Sequence, residues 1–199
     1  MTMRRLVLAS TSRYRRAQLD ALGVPYVAAA PTYHEDHGRI LAPGAMAIAF
    51  ARGKAECLAG AFPDALILGA DQTVADTETV LTKPDTVERA VDQLMSLQGR
   101  THRLCSAIAL HDASSATTTH RLVVHEMKMR SLTRALAAAY VAHDRPLDCV
   151  GSYRIEAMGA LLFTEMRGDD HTAIVGLPIA AMSALLLEAG LDLLAAAVG

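Results

Sequence analysis

The sequence predicts an α/β protein, and three observations carry that expectation. Apolar runs of buried-strand type recur, most plainly Ala65-Leu66-Ile67-Leu68-Gly69-Ala70. Longer stretches of helical character, such as Ala45 to Ala61, lie between such runs. The two kinds alternate through most of the 199 residues, a length that fits one domain over 1–199.

Taken in order, Arg5 to Ala9 reads as a short buried strand. Arg15 to Leu22 reads as a helix, with Gly23 as its stop. Tyr26 to Ala30 is a second strand, followed by a polar loop, Thr32 to Gly38. Ala45 to Ala61 is helical and ends at Phe62-Pro63. The run Ala65 to Ala70 is a buried strand closed by Asp71-Gln72. Val74 to Leu81 forms a small hairpin. Val87 to Leu97 is a helix with Asp85 or Thr86 near its cap. After the turn Gly99-Arg100-Thr101, His102 to His111 and Thr119 to Met129 pair across the linker Asp112 to Thr118. Thr133 to His143 is helical, Gly151 to Glu156 a polar turn, and Ala160 to Thr164 strand-like. Gly176-Leu177-Pro178 opens a last helix that stops near Gly190. The apolar tail from Leu187 to Gly199 is a fraying helix or a packed tail.

The bulk numbers narrow the function. Apolar residues make up 52% and charged residues 20%, so a sizeable core is expected. A formal net charge of -2 argues against a nucleic-acid polymer as partner, because duplex binding needs a basic face. A small anion fits better. Cys57, Cys105 and Cys149 are odd in number, form no CxxC pair and sit among apolar neighbours, so they read as core filler. No stretch reaches the roughly 20 apolar residues of a membrane span, and the N-terminus lacks a signal-peptide core. A soluble cytoplasmic protein is expected.

Chemistry concentrates at strand ends. Asp71 follows a hydrophobic strand, where α/β folds bind ligands. It is either a turn aspartate or a group that takes a proton or holds a cation. Arg13, Arg15 and Arg16 stand at the start of a helix, where positive charge is disfavoured by the helix dipole, and this suggests a bound anion. Lys54 lies mid-helix and Lys83 in a loop before a proline; taken singly, each reads as solvated.

Leu8-Ala9-Ser10-Thr11-Ser12 with Arg15-Arg16, Ala51-Arg52-Gly53-Lys54-Ala55, Gly69-Ala70-Asp71-Gln72-Thr73-Val74 and Lys83-Pro84 occur in this order. Together with Gly99-Arg100-Thr101-His102, Gly151-Ser152-Tyr153 and Val175-Gly176-Leu177-Pro178, the chain resembles the Maf family of nucleoside triphosphate pyrophosphatases over nearly its whole length. The resemblance implies a Maf/ITPase-like fold: a central mixed sheet flanked by helices, in two lobes with a cleft between them. It implies hydrolysis of a nucleoside triphosphate to the monophosphate and pyrophosphate with a divalent cation, magnesium or else manganese or cobalt. Asp71 would be the general base. Arg15, Arg16, Lys54 and Lys83 would bind phosphates, and Ser10 would donate to a phosphate oxygen. Glu35 would hold the metal with Asp71. A homodimer is expected from family likeness only.

Within the family three positions govern base choice, and here they are Tyr14, Gln72 and Glu156. The aromatic and the glutamate resemble the subgroup directed at 7-methyl-GTP, which would remove that modified nucleotide from the pool. Physical chemistry agrees: N7-methylguanine is cationic, and an aromatic face attracts a flat cation by about 0.5–2 kcal/mol. A glutamate can accept from guanine N1–H and N2–H₂, at roughly 1.5–3 kcal/mol per charge-assisted bond. The alternatives are a pyrophosphatase for dTTP, UTP or another modified nucleotide, and a nucleotide-binding regulator of cell division or septum formation. Two departures from the family pattern stand out: Arg13 replaces a usual proline, and His34 a usual acid. His34 and His37 read as solvated loop residues, and His102 as a strand-edge residue.

Overall fold

A computed structural model describes residues 4–38, 41–76 and 79–198 of the chain. The strands are β1 (Leu6–Ala9), β2 (Val27–Ala29), β3 (Leu66–Asp76), β4 (Thr79–Leu81), β5 (Thr101–Asp112), β6 (Thr117–Met129) and β7 (Phe163–Arg167). The helices are α1 (Arg13–Asp20), α2 (Pro43–Glu56), α3 (Val87–Leu97), α4 (Arg134–Asp144), α5 (Thr172–Val175), α6 (Ile179–Glu188) and α7 (Leu193–Val198). The strands form one mixed sheet in the order β2-β1-β3-β5-β6-β7, with β4 on β3. β1 pairs in parallel with β2 and β3; β3–β4 and β6–β7 are antiparallel. The α/β class holds.

The chain divides into two compact units. One comprises Met1–Asp71, Ser106–Val123 and Asp170–Gly199; the other comprises Gln72–Cys105 and Val124–Asp169. In the first, strand alternation sorts the core onto two faces. Leu6, Leu8, Leu66, Leu68, Ile108 and Leu110 pack with Leu19 of α1 and Met182, Leu185 and Leu186 of α6. Val7, Ala9 and Ile67 pack with Ala55 and Leu58 on the α2 side, and Ala107 and Ala109 with Ala47 and Ala51 of α2. Gly69 lies on this α2 face. A Cβ there would fall on the carbonyl of Ala51 and the amide of Ala55, so α2 rests directly on the backbone of β3.

In the second unit α3 and α4 pack together. Thr86 and Thr133 cap them, accepting from the backbone N–H of Arg89 and Leu136. His102 is buried rather than at a strand edge. Its Nε2 shares a 3.1 Å hydrogen bond with the Tyr153 hydroxyl, and its ring lies 5.7 Å from Tyr153 and 5.8 Å from Phe163. Burial lowers its pKa from 6.5 to about 4, with Asp76 opposing. Between those two pH values the unfolded chain binds a proton that the folded chain does not. The His102 contribution to stability is therefore complete above pH 6.5 and is lost toward pH 4, by on the order of 3 kcal/mol at most. Denaturant unfolding at pH 4 and 7 should show this loss in the wild type and a smaller one in His102→Gln.

Several boundaries differ from expectation. Asp71-Gln72 does not close a strand: β3 runs unbroken to Asp76, because its far half pairs with β4. Residues 77–78, between β3 and β4 in the chain, lie outside the described residues, as do 1–3, 39–40 and 199. α1 starts two residues early because Ser12 caps it, its hydroxyl accepting from Arg15 N–H at 3.4 Å. The segment expected as strand from Ala160 is a 3-10 turn, Met158–Leu162, and β7 follows it. Cys57 is exposed rather than core, because it follows the last turn of α2, with its thiol on the Lys54 carbonyl.

Candidate active site

The first unit gathers charge beyond the end of β1 and on the α2 face of β3. β1 ends at Ala9, and Ser10 follows, buried, with its hydroxyl accepting from Ser12 N–H at 3.1 Å. The first turn of α1 holds no acid and carries Arg13, Arg15 and Arg16. Arg15 is half-buried and its Nε donates to the Gly176 carbonyl at 2.9 Å. Burial works against its charge, and the nearby carboxylates Asp71 and Glu35 offset part of that cost. Arg16 is exposed and donates to the Thr11 carbonyl at 2.8 Å.

Asp71 shares the strand face of Ile67 and Gly69, so its carboxylate points to α2. Lys54, from the last turn of that helix, meets it: Nζ lies 2.5 Å from Asp71 Oδ1. Lys54 and Asp71 are only 8% and 7% exposed, so neither reads as a solvated surface group. The same ammonium lies 2.7 Å from Glu35 Oε1. Burial raises the Asp71 pKa, and Lys54 and Arg15 pull the other way without cancelling it. A carboxylate with raised proton affinity, ringed by cations, is suited to accept a proton from water.

The loop carrying Glu35 is held down by shape. Gly53 leaves room for the Tyr33 ring, which a Cβ there would strike. His37 is not simply solvated: its Nε2 lies 3.3 Å from Glu35 Oε2, and its ring meets Phe50 edge-on at 5.1 Å. His34 is exposed, as expected. Among the described residues no three of Asp, Glu, His or Cys converge as a metal cage. Glu35 and Asp71 do offer two hard oxygen donors meeting on one cation. That set fits magnesium, which takes one or two carboxylates and completes its shell with phosphates and water.

Of the residues expected to choose the base, Tyr14 carries the Arg13 guanidinium, 4.8 Å from the ring centroid, and its hydroxyl accepts from Arg13 Nη2 at 2.7 Å. The other two belong to the second unit. Gln72 is half-buried and, as the next residue on β3, points to the opposite strand face from Asp71. Glu156 is exposed, with Oε1 3.0 Å from Arg154 Nε. Lys83 is exposed in the loop between β4 and α3.

The Maf-like protein family model matches residues 5–189. The chain belongs to the Maf family. It is 40% identical over 193 residues, 96% of its length, to the full length of a 7-methyl-GTP pyrophosphatase of Bdellovibrio bacteriovorus. A relative of the same name from Xanthomonas axonopodis pv. citri is 40% identical over 192 residues, again 96% of this chain and all of the relative. A third Maf relative of that name, from Syntrophotalea carbinolica, is 38% identical over 178 residues, 89% of this chain and 90% of its own. Sequence reasoning missed the Tyr33 contact, the His37–Glu35 pair and the Arg154–Glu156 pair. A glycine inside an alanine-rich helix was the signal for the first.

Proposed function

We propose that this Maf protein hydrolyses 7-methyl-GTP to the monophosphate and pyrophosphate. One observation carries the reaction type: a buried acid of raised proton affinity beside Lys54 and Arg15. Asp71 takes a proton from water as its oxygen attacks the α-phosphorus, and the bond to the α–β bridging oxygen breaks to release pyrophosphate. Arg15, Arg16, Lys54, Lys83 and Ser10 bind phosphate oxygens, and the cations stabilise charge that grows in the transition state. Glu35 and Asp71 would hold a divalent cation, which when bound supplies further charge neutralisation at the phosphates. The relatives' names support the base, as do Tyr14 for a flat cation and Glu156 for the guanine edge. Among the described residues no helix is long and apolar enough to cross a membrane.

Pyrophosphate release should be measured over canonical and modified triphosphates with magnesium, manganese and cobalt. 7-Methyl-GTP is expected to give the highest kcat/KM; a pyrimidine triphosphate in that place would sink the base assignment, and silence across the panel the enzyme itself. Glu156→Gln should cut the preference for 7-methyl-GTP over UTP by about tenfold, the equivalent of one charge-assisted hydrogen bond. An unchanged preference removes Glu156 from base recognition.

A further inference from the structure

Glu156 is an exposed carboxylate on a short segment, yet the chain around it is unusually constrained. Gly151 and Ser152 are both left-handed, with φ of 80° and 61°. Ser152 is a buried non-glycine residue in that region, held by its hydroxyl on Gln93 Oε1 at 2.7 Å and its N–H on the Cys149 carbonyl at 3.1 Å. The turn sends Tyr153 into the cluster with His102 and Phe163. Arg154 comes next and is fixed from three directions. Its backbone N–H donates to the Tyr140 hydroxyl at 3.0 Å, and Nη1 donates to the Asp144 carbonyl at the end of α4 at 3.2 Å. Its Nε donates to Glu156 Oε1 at 3.0 Å. Gly159 closes against the Arg154 backbone, where any Cβ would collide.

An ordinary surface ion pair needs no such framework, since its two long side chains move freely and gain little from meeting. Here the guanidinium is tied to main chain at one end and to the carboxylate at the other. We infer that Arg154 is a positioning residue for base recognition: it locks one oxygen of Glu156 and thereby aims the other at the guanine edge. The inference rests on the proposal that Glu156 reads the base. A planar donor anchored to a helix end suits this task better than an ammonium, which presents a single point charge.

The test is a double-substitution cycle on the full chain, with KM and kcat for 7-methyl-GTP and UTP and a melting curve for each variant. Arg154→Ala should raise KM for 7-methyl-GTP by about tenfold, the size of one oriented charge-assisted bond, with kcat changed less than about twofold. Combined with Glu156→Gln it should add nothing, because both act through one contact. Arg154→Lys keeps the charge but cannot hold Glu156 and the Asp144 carbonyl together, and should also raise KM. That variant carries the test if the alanine variant melts early. An unchanged KM in Arg154→Lys, or effects that simply multiply in the double variant, overturns the positioning role. If Glu156→Gln itself changes nothing, the base-recognition reading fails instead.

Discussion

Asp71→Asn should lower kcat for pyrophosphate release by about 10²–10⁴-fold, the usual contribution of a positioned general base. The substitution is close to isosteric. Its amide oxygen can still accept from Lys54, whose Nζ lies 2.5 Å from Asp71 Oδ1, so the ammonium need not move. What disappears is the capacity to take a proton and one negative charge beside the phosphates. Nucleotide affinity, measured by calorimetry with a non-hydrolysable analogue, should stay within a few-fold of wild type or tighten, since a carboxylate repels phosphate. A variant that retains most of its turnover would end the assignment of Asp71 as base.

Lys54→Met should damage both stability and turnover. The ammonium stands between Asp71 and Glu35, and both partners of the Lys54–Asp71 pair have about 10% exposed side chains. Removing one member of a buried pair costs about 3–5 kcal/mol, because the remaining charge is left uncompensated. The Asp71 pKa would rise further, since Lys54 is the chief influence lowering it. That leaves less carboxylate to accept a proton. Denaturant unfolding and pyrophosphate release, run on the same preparation, check the two effects together. Wild-type stability in Lys54→Met would mean that the ammonium does not hold the two carboxylates in place.

Much of the fold was legible because buried strands and amphipathic or alanine-rich helices differ in period and length. The Ser12 cap was the weaker signal: Ser10 and Ser12 both precede the arginines, and only geometry selects the second. Asp71 illustrates the limit. A polar pair after an apolar run looks like the end of a strand, yet pairing continues to Asp76. Local polarity does not report a partner such as β4, which comes later in the chain. The candidate site was legible by chemistry, as an acid with basic residues spaced along the chain. Its assembly was not. Nothing within Ala51 to Ala55 shows that Lys54 points into the sheet rather than to water. That orientation follows from which helix face carries the small residues Ala47, Ala51 and Ala55. The Arg154–Glu156 pair escaped notice because two residues of opposite charge in a turn ordinarily signify nothing.

Gly69 carries one more implication. At Gly69 no side chain of β3 stands against α2, so the separation of Lys54 from Asp71 is gauged there by main chain against main chain. There is nothing compressible in that gap to swell with heat or to be trimmed by substitution. Apolar replacements on the opposite side of the sheet can soften the molecule, but the ruler that spaces these two charges should keep its length.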